Sequence, residues 1–413
     1  LETVHNAGIR LCLGAYRTSP IPSLQVEANE PPMDLRRDQL SLQYAVKLKS
    51  NTSNPTFEAV FNTNFRNFYT SKKSHIRPLS YRIEDHLDAV CCSPVIHHTI
   101  PDIPPWHIAR PKIDLSMTSF KKNLVSPHEL QSEFKHALSR YPESRIFYSD
   151  GSKSDTAVAC SFYSSKHKLK MRLPECMSVF TAELIAILSI LKYIENITDE
   201  MNFIICSDSL SGIMAIHSRD TNHPYVLEIL KLYTILTQQQ LKLIVLLWCP
   251  SHVGILGNER ADSLAKAALS SNNFAALPVP ASDLKFYIRK FITSRWQQRW
   301  NDQIHNKLHA VKPTVGLWPL CRRESRREEI VLARIRIGHT HLTHGFLLRG
   351  EIQPECVACV CPLTVQHVLI ECADFLHIRR KHYTATSMKQ LFDEVNPSKI
   401  ISYLKEIQLF YRL

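Results

Sequence analysis

Between Arg145 and Leu269 the chain alternates short apolar runs with long ones, in an order that admits few folds. Ile146–Ser149, Ala157–Phe162 and Lys168–Arg172 read as three strands, and Thr181–Asn196 as a strongly apolar helix. Phe203–Cys206 then reads as a short buried strand and Tyr225–Gln240 as a second long helix. Leu241–Trp248 is a third-type run, buried and strand-like, and Gly257–Leu269 a closing helix. Strands followed by helix, strand, helix, strand and helix predict an α/β domain with a mixed, five-stranded sheet flanked by helices.

The flanks are less regular. The 413 residues exceed one domain's usual length, and 44% hydrophobic with 9% aromatic content excludes collagen, coiled coil and wholesale disorder. Residues 33–50 read as an amphipathic helix with Leu35, Leu40, Tyr44 and Leu48 on its stripe. Pro78, Pro94, Pro101, Pro104, Pro105 and Pro111 punctuate residues 51–140, which we expect to be extended linker. We place the α/β domain at 141–270, a linker and helix at 271–310, and a basic helical region at 311–413. There, Arg322–Ile337 carries Ile330, Ala333 and Ile337 and stops at Gly338. No internal repeat or low-complexity tract is visible. The longest apolar run, Leu243 to Trp248, falls far short of the roughly 20 residues that span a bilayer, so no membrane partner is expected. No leader opens the chain and its first methionine is Met33, so we expect a piece of a longer product.

Charge is uneven. Residues 145–270 carry 12 basic and 12 acidic side chains, whereas residues 271–413 carry 21 and 12. Such a basic region suits a polyanion, because neutralised phosphates release counterions; a solvated helical surface explains it equally well. Of the 12 cysteines, most stand singly in apolar segments, as Cys160, Cys206 and Cys249 do. This usage points to a reducing, intracellular compartment.

Four acids stand where the α/β pattern makes them converge. Asp150 ends the first strand and Asp208 the fourth; Glu183 lies in the first turn of the apolar helix and Asp262 on the last helix. Adjacent strand ends lie about 4.8 Å apart, so Asp150 and Asp208 can share a ligand. Like charges so close cannot all ionise without cations, and hard divalent ions want such oxygen donors. Two Mg²⁺ ions roughly 4 Å apart would stabilise both the attacking and the leaving oxygen at phosphorus. His252, in a loop bounded by Pro250 and Gly254, can shuttle a proton or help release product. Taken singly, each acid is more often a surface or helix-start charge, Glu183 above all.

The segments YSDGS (148–152), TAEL (181–184), CSDS (206–209), WCPSHVGI (248–255) and GNERAD (257–262) resemble, in order, those of a ribonuclease H domain. The resemblance implies two Mg²⁺ ions, with Mn²⁺ as a substitute, held by Asp150, Glu183, Asp208 and Asp262. It further implies hydrolysis of the RNA strand in RNA–DNA hybrids, with His252 as the flexible-loop auxiliary. Ending on aspartate separates this order from that of the similarly folded transposases and integrases. Ala157 and Ala159 stand where relatives often have glycine, and Cys249 where they often have valine; we read these as packing changes. Residues 1–50 resemble the segment after the polymerase core of jockey- and I-type non-LTR retrotransposons, and 335–372 resemble the C-terminus of those polyproteins. That context implies a nuclear or cytoplasmic enzyme. No Tyr-Ala-Asp-Asp or Phe-Ala-Asp-Asp box occurs. The alternative is a catalytically silent nucleic-acid-binding remnant of a mobile element, which a missing acid would mark; none is missing.

Cys356, Cys359, His367 and Cys372 have the ligand types of a structural Zn²⁺ site, with Cys361 as a spare. On a regular helix His367 and Cys372 would diverge by about 140°, unless the helix starts or ends between them. The competing reading is free surface thiols beside a core cysteine. His339, His341 and His344 with Arg334 and Arg336 can contact a nucleic-acid backbone or simply form a polar turn. Phe286, Tyr287, Phe291, Trp296 and Trp300 fall near helical spacing and read as core more than as a base-stacking platform.

Overall fold

Six strands make one mixed sheet in the computed structural model, which describes residues 1–62, 65–71, 74–90, 94–97, 103–220, 222–318 and 325–413. They are β1 (Lys112–Asp114), β2 (Arg145–Lys153), β3 (Val158–Tyr163), β4 (Lys168–Leu173), β5 (Asn202–Ser207) and β6 (Leu243–Trp248). Their order is β1-β6-β5-β2-β3-β4. The β2-β3-β4 meander is antiparallel, and β2, β5, β6 and β1 run parallel. The sheet thus has one strand more than expected. Lys112–Asp114 pairs with Val245–Leu247, and three residues inside a proline-rich stretch carry too short a pattern to be read.

Other expectations also shift. Residues 51–140 are not plain linker, since they hold helices Thr56–Phe61, Arg66–Ser71, Leu79–Val90 and Pro127–Ser139 besides β1. Of the prolines counted there, Pro101 lies outside the described residues. The helix expected over 33–50 is Met33–Lys49, but Leu40 and Tyr44 are exposed while Leu35, Leu42, Ala45, Val46 and Leu48 are buried. Leu210–Ser218, capped by Ser209, is a helix the pattern did not reveal. Pro224–Thr234 is the second long helix and closes in a π-turn over Ile235–Gln239.

Two compact units divide the chain, one of residues 1–40 with 289–413 and one of residues 41–288. In the second, successive strand residues point to opposite faces. Phe147 and Phe203 meet on one face, where Phe147 also packs on Tyr193 of the Val179–Glu195 helix. Their neighbours Ile146, Tyr148, Ile204 and Cys206 face the other way, into a cluster with Met117 and with Leu130, Phe134 and Ala137 of the Pro127–Ser139 helix. Ser126 starts that helix with a capping box to Glu129.

The first unit is helical. Arg326–Ile337 is capped by Ser325 and ends at Gly338 in the left-handed conformation (φ 78°), which a residue without Cβ adopts freely. The expected first residues of this helix, from Arg322, lie outside the described residues. Its Arg336 pairs with buried Glu27 at 3.2 Å and stacks 4.1 Å from the Trp318 ring. Trp296 and Trp300 are core residues, whereas Phe286 is exposed. No helix among the described residues is long and apolar enough to cross a membrane.

Candidate active site

β2 and β5 run parallel with Ser149 opposite Ser207, so the residue after each, Asp150 and Asp208, sits level across the sheet. β2 continues to Lys153, which makes Asp150 a mid-strand residue and not a strand end. Glu183 arrives from the helix packed over β2 and β3. That helix is capped by Ser178 and begins at Val179, so Glu183 lies beyond the first turn, and the helix-start explanation of its charge falls. Gly151 permits the approach: a Cβ there would lie 2.8 Å from the Glu183 backbone nitrogen.

Oxygen atoms of Asp150, Glu183 and Asp208 come within 4.8 Å of one another. Burial pushes the Asp150 carboxyl up to about 8, helped by the charges of Asp208 and Asp262. Burial also raises Glu183 well above the carboxylate range, with Asp150 and Asp208 adding to it. Asp208 is raised by burial too, although the Asn258 amide, 3.2 Å from its Oδ2, opposes the shift. Asp150 Oδ2 and Glu183 Oε2 are buried without a hydrogen-bond partner. Buried polar atoms are rarely left so. Convergent, desolvated, unsatisfied carboxylate oxygens are what a hard divalent cation requires, so these residues fit Mg²⁺ or Mn²⁺.

Asp262 falls in a second trio, with His252 and Glu259, whose ligand atoms also lie within 4.8 Å of one another. It still acts electrostatically on Asp150, Glu183 and Asp208. Lys266, one turn on, holds Asp262 at 2.7 Å. His252 is exposed on its loop. The sequence reading missed Asn258 and Glu259 as individual residues. Both stand in GNERAD, and Glu259 precedes Asp262 by three, which puts the two on one helical face.

The Cys/His residues also meet. Cys356 and Cys359 stand on a small hairpin of β7 (Glu355–Cys356) and β8 (Cys361–Pro362), and group with His367 and Cys372 within 4.8 Å. Cys372 Sγ is 3.9 Å from both Cys356 Sγ and Cys359 Sγ. Thiolates about 2.3 Å from a tetrahedral Zn²⁺ would stand about 3.8 Å apart. The divergence expected of a regular helix does not arise, because His367–Glu371 is a π-turn. Its bond from Cys372 N to His367 O (2.8 Å) returns residues five apart to nearly one face. The Cys359 backbone N–H and His367 hold the Cys356 thiol down to about 7, whereas burial pushes Cys372 up to about 11. Cys361 contacts the His367 ring at 3.4 Å outside the group of four.

Within the histidine turn His344 is buried and His339 half-buried, whereas His341 is exposed. His339 and His344 stack at 3.9 Å, and burial with the nearby Lys307 charge pushes His344 down to about 4. Arg334 donates to Gly14 O and Leu413 O.

A mixed sheet flanked by helices, with an acidic cluster over its centre, defines the α/β class of this domain. Residues 142–270 match the family model of RNase H; the match implies nuclease activity on RNA–DNA hybrids, in a family that typically uses Mg²⁺. No curated protein matches the chain.

Proposed function

We propose that the chain is a divalent-metal-dependent endonuclease that cuts the RNA strand of RNA–DNA hybrids. The observation that carries this is the pair of buried, unpartnered oxygens of Asp150 and Glu183 facing Asp208 inside the matched domain. Asp150, Glu183, Asp208 and Asp262 would hold two Mg²⁺ ions, with Mn²⁺ as a substitute. When bound, these ions supply water activation and neutralise charge on the departing 3′ oxygen. Asn258 fixes Asp208 through its Oδ2. Lys266 balances Asp262 until a cation arrives. His252, exposed on its loop, carries a proton between the scissile region and solvent. Specificity for RNA comes from 2′-hydroxyls and hybrid shape.

In this reading the domain works within a non-LTR retrotransposon polyprotein in the nucleus or cytoplasm, supported by the resemblance of residues 1–50 and 335–372. The basic C-terminal region adds phosphate attraction. Cys356, Cys359, His367 and Cys372 bind one Zn²⁺ that pins the hairpin to the π-turn; the Sγ spacing supports this. A silent remnant is the alternative.

The test is cleavage of a labelled RNA–DNA hybrid with Mg²⁺, beside double-stranded RNA and DNA and an EDTA blank. Hybrid-only, EDTA-sensitive cutting is expected. A folded preparation that cuts nothing would overturn the reading in favour of the remnant.

A further inference from the structure

The loop that carries His252 joins β6 to the Leu256–Ala268 helix, and its backbone is held from outside the matched domain. Lys122 Nζ donates to Ser251 O at 2.6 Å, and Gln131 Nε2 donates to Val253 O at 2.8 Å. These carbonyls belong to the residues on either side of His252. Both donors precede residue 142, where the family match begins. Val253 and Ile255 anchor the same loop by burying their side chains in the cluster that holds Leu130 and Phe134. At its far end, Gly254 N donates to Glu259 Oε1 at 3.3 Å.

The loop's conformation needs such holding. His252 sits at φ 54°, in the left-handed region that a residue with a Cβ avoids unless its surroundings impose it. Gly254 follows at φ 81°, and a Cβ there would come 2.4 Å from Gln131 Nε2. The glycine is therefore required twice, by the turn and by the glutamine reaching past it. The result is a histidine whose main chain is fixed at both neighbours while its ring stays in solvent, beside Glu259 and Asp262.

We propose that Lys122 and Gln131 are positioning residues for His252, so that the arm formed by residues 115–141 is a working part of the nuclease and not a spacer before it. This rests on the reading of His252 as the proton carrier. The arm confines the imidazole to one approach to the acids, through half-buried Gln131 at one neighbour and exposed Lys122 at the other.

The test combines kinetics with hydrogen exchange on the full chain, using an RNA–DNA hybrid and Mg²⁺. Gln131→Ala should lower kcat about tenfold with KM within about twofold, since only proton transfer is misaligned. Gly254→Ala should act in the same direction by displacing Gln131. In a double-mutant cycle, adding Gln131→Ala to His252→Ala should cost nothing further, because the residue acts through the missing ring. Backbone exchange over residues 249–255 should quicken in Gln131→Ala with the melting temperature little changed. If the Gln131→Ala loss multiplies with that of His252→Ala, or if kcat and loop exchange are both unaltered, the positioning role is overturned. Should wild-type protein fail to cut at all, the nuclease reading fails, and loop exchange alone then decides whether the clamp exists.

Discussion

The two ligand clusters of this chain are built in opposite ways. The acid cluster gathers Asp150, Glu183 and Asp208 from two strands and a helix, each fixed by the sheet before any cation arrives. Its cost is visible without metal: burial and mutual repulsion push Asp150 to about 8 and leave two oxygens unsatisfied. The Cys/His cluster gathers four residues from a stretch of 17, on a two-residue-stranded hairpin and a single π-turn. Little else ties such a hairpin down, so its ligands hold the fold as much as the fold holds them. On the proposed reading the preorganised site would use its metal for chemistry and the local site would use it as structure.

That contrast can be broken by exchanging the consequences. Asp208→Ala should lower hybrid cleavage by about a thousandfold or more, since several kcal/mol of charge stabilisation is lost, while the fold survives. Turnover near the wild-type rate would remove Asp208 from the site. His252→Ala should cost about a hundredfold in kcat, as a general acid–base contribution does. A loss confined to KM would instead make it a substrate contact.

At the other cluster, Cys356→Ser should lose Zn²⁺ and lower the stability of the first unit by several kcal/mol. Hybrid cleavage by the matched domain should persist in that variant. Purified protein with no bound zinc would end the structural-metal reading.

The metal-free acid cluster should also register in stability against pH. Asp150 and Glu183 have folded pKa values above their unfolded ones, so the native state binds the extra protons and unfolding releases them as pH rises. Stability of EDTA-treated protein should therefore fall from about pH 4 through about pH 8 as Asp150 ionises, with Glu183 acting in the same direction and Mg²⁺ flattening the slope. Melting in EDTA across that range checks the sign; a rise would contradict the desolvated cluster.

The smallest effect concerns support from beyond the matched segment. Asp283 accepts from Ser178 N at 2.9 Å and from Ser178 Oγ at 3.1 Å, at the cap of the helix bearing Glu183. Asp283→Asn should cost about 1 kcal/mol by weakening that capping arrangement, seen in denaturant melts. No change would leave Ser178 as the sufficient cap.

Strands β2 to β6 were legible because apolar periodicity and turn residues are local properties, and the five motif segments placed all four acids and His252 on their elements. Asp150, Glu183 and Asp208 were nameable for the same reason, whereas Asp262 groups with His252 and Glu259 instead. Positions fixed by contacts distant in sequence were not legible. β1 is three residues long and exists through its pairing with β6. Leu40 and Tyr44 carry the right spacing, yet the buried face is chosen by what packs on the helix. The π-turn that brings Cys372 back to His367 replaces a regular helix that spacing alone would favour. Gln131 and Lys122 carry no pattern at all, because a side chain donating to a loop carbonyl more than 120 residues away obeys no local period. By itself the sequence marked strands β2 to β6 and the long apolar helices of the matched segment, through local propensity and hydrophobic period. Tertiary structure alone decided how the acids were desolvated and how the His252 loop was held, because burial and long-range hydrogen bonds are properties of the packed chain.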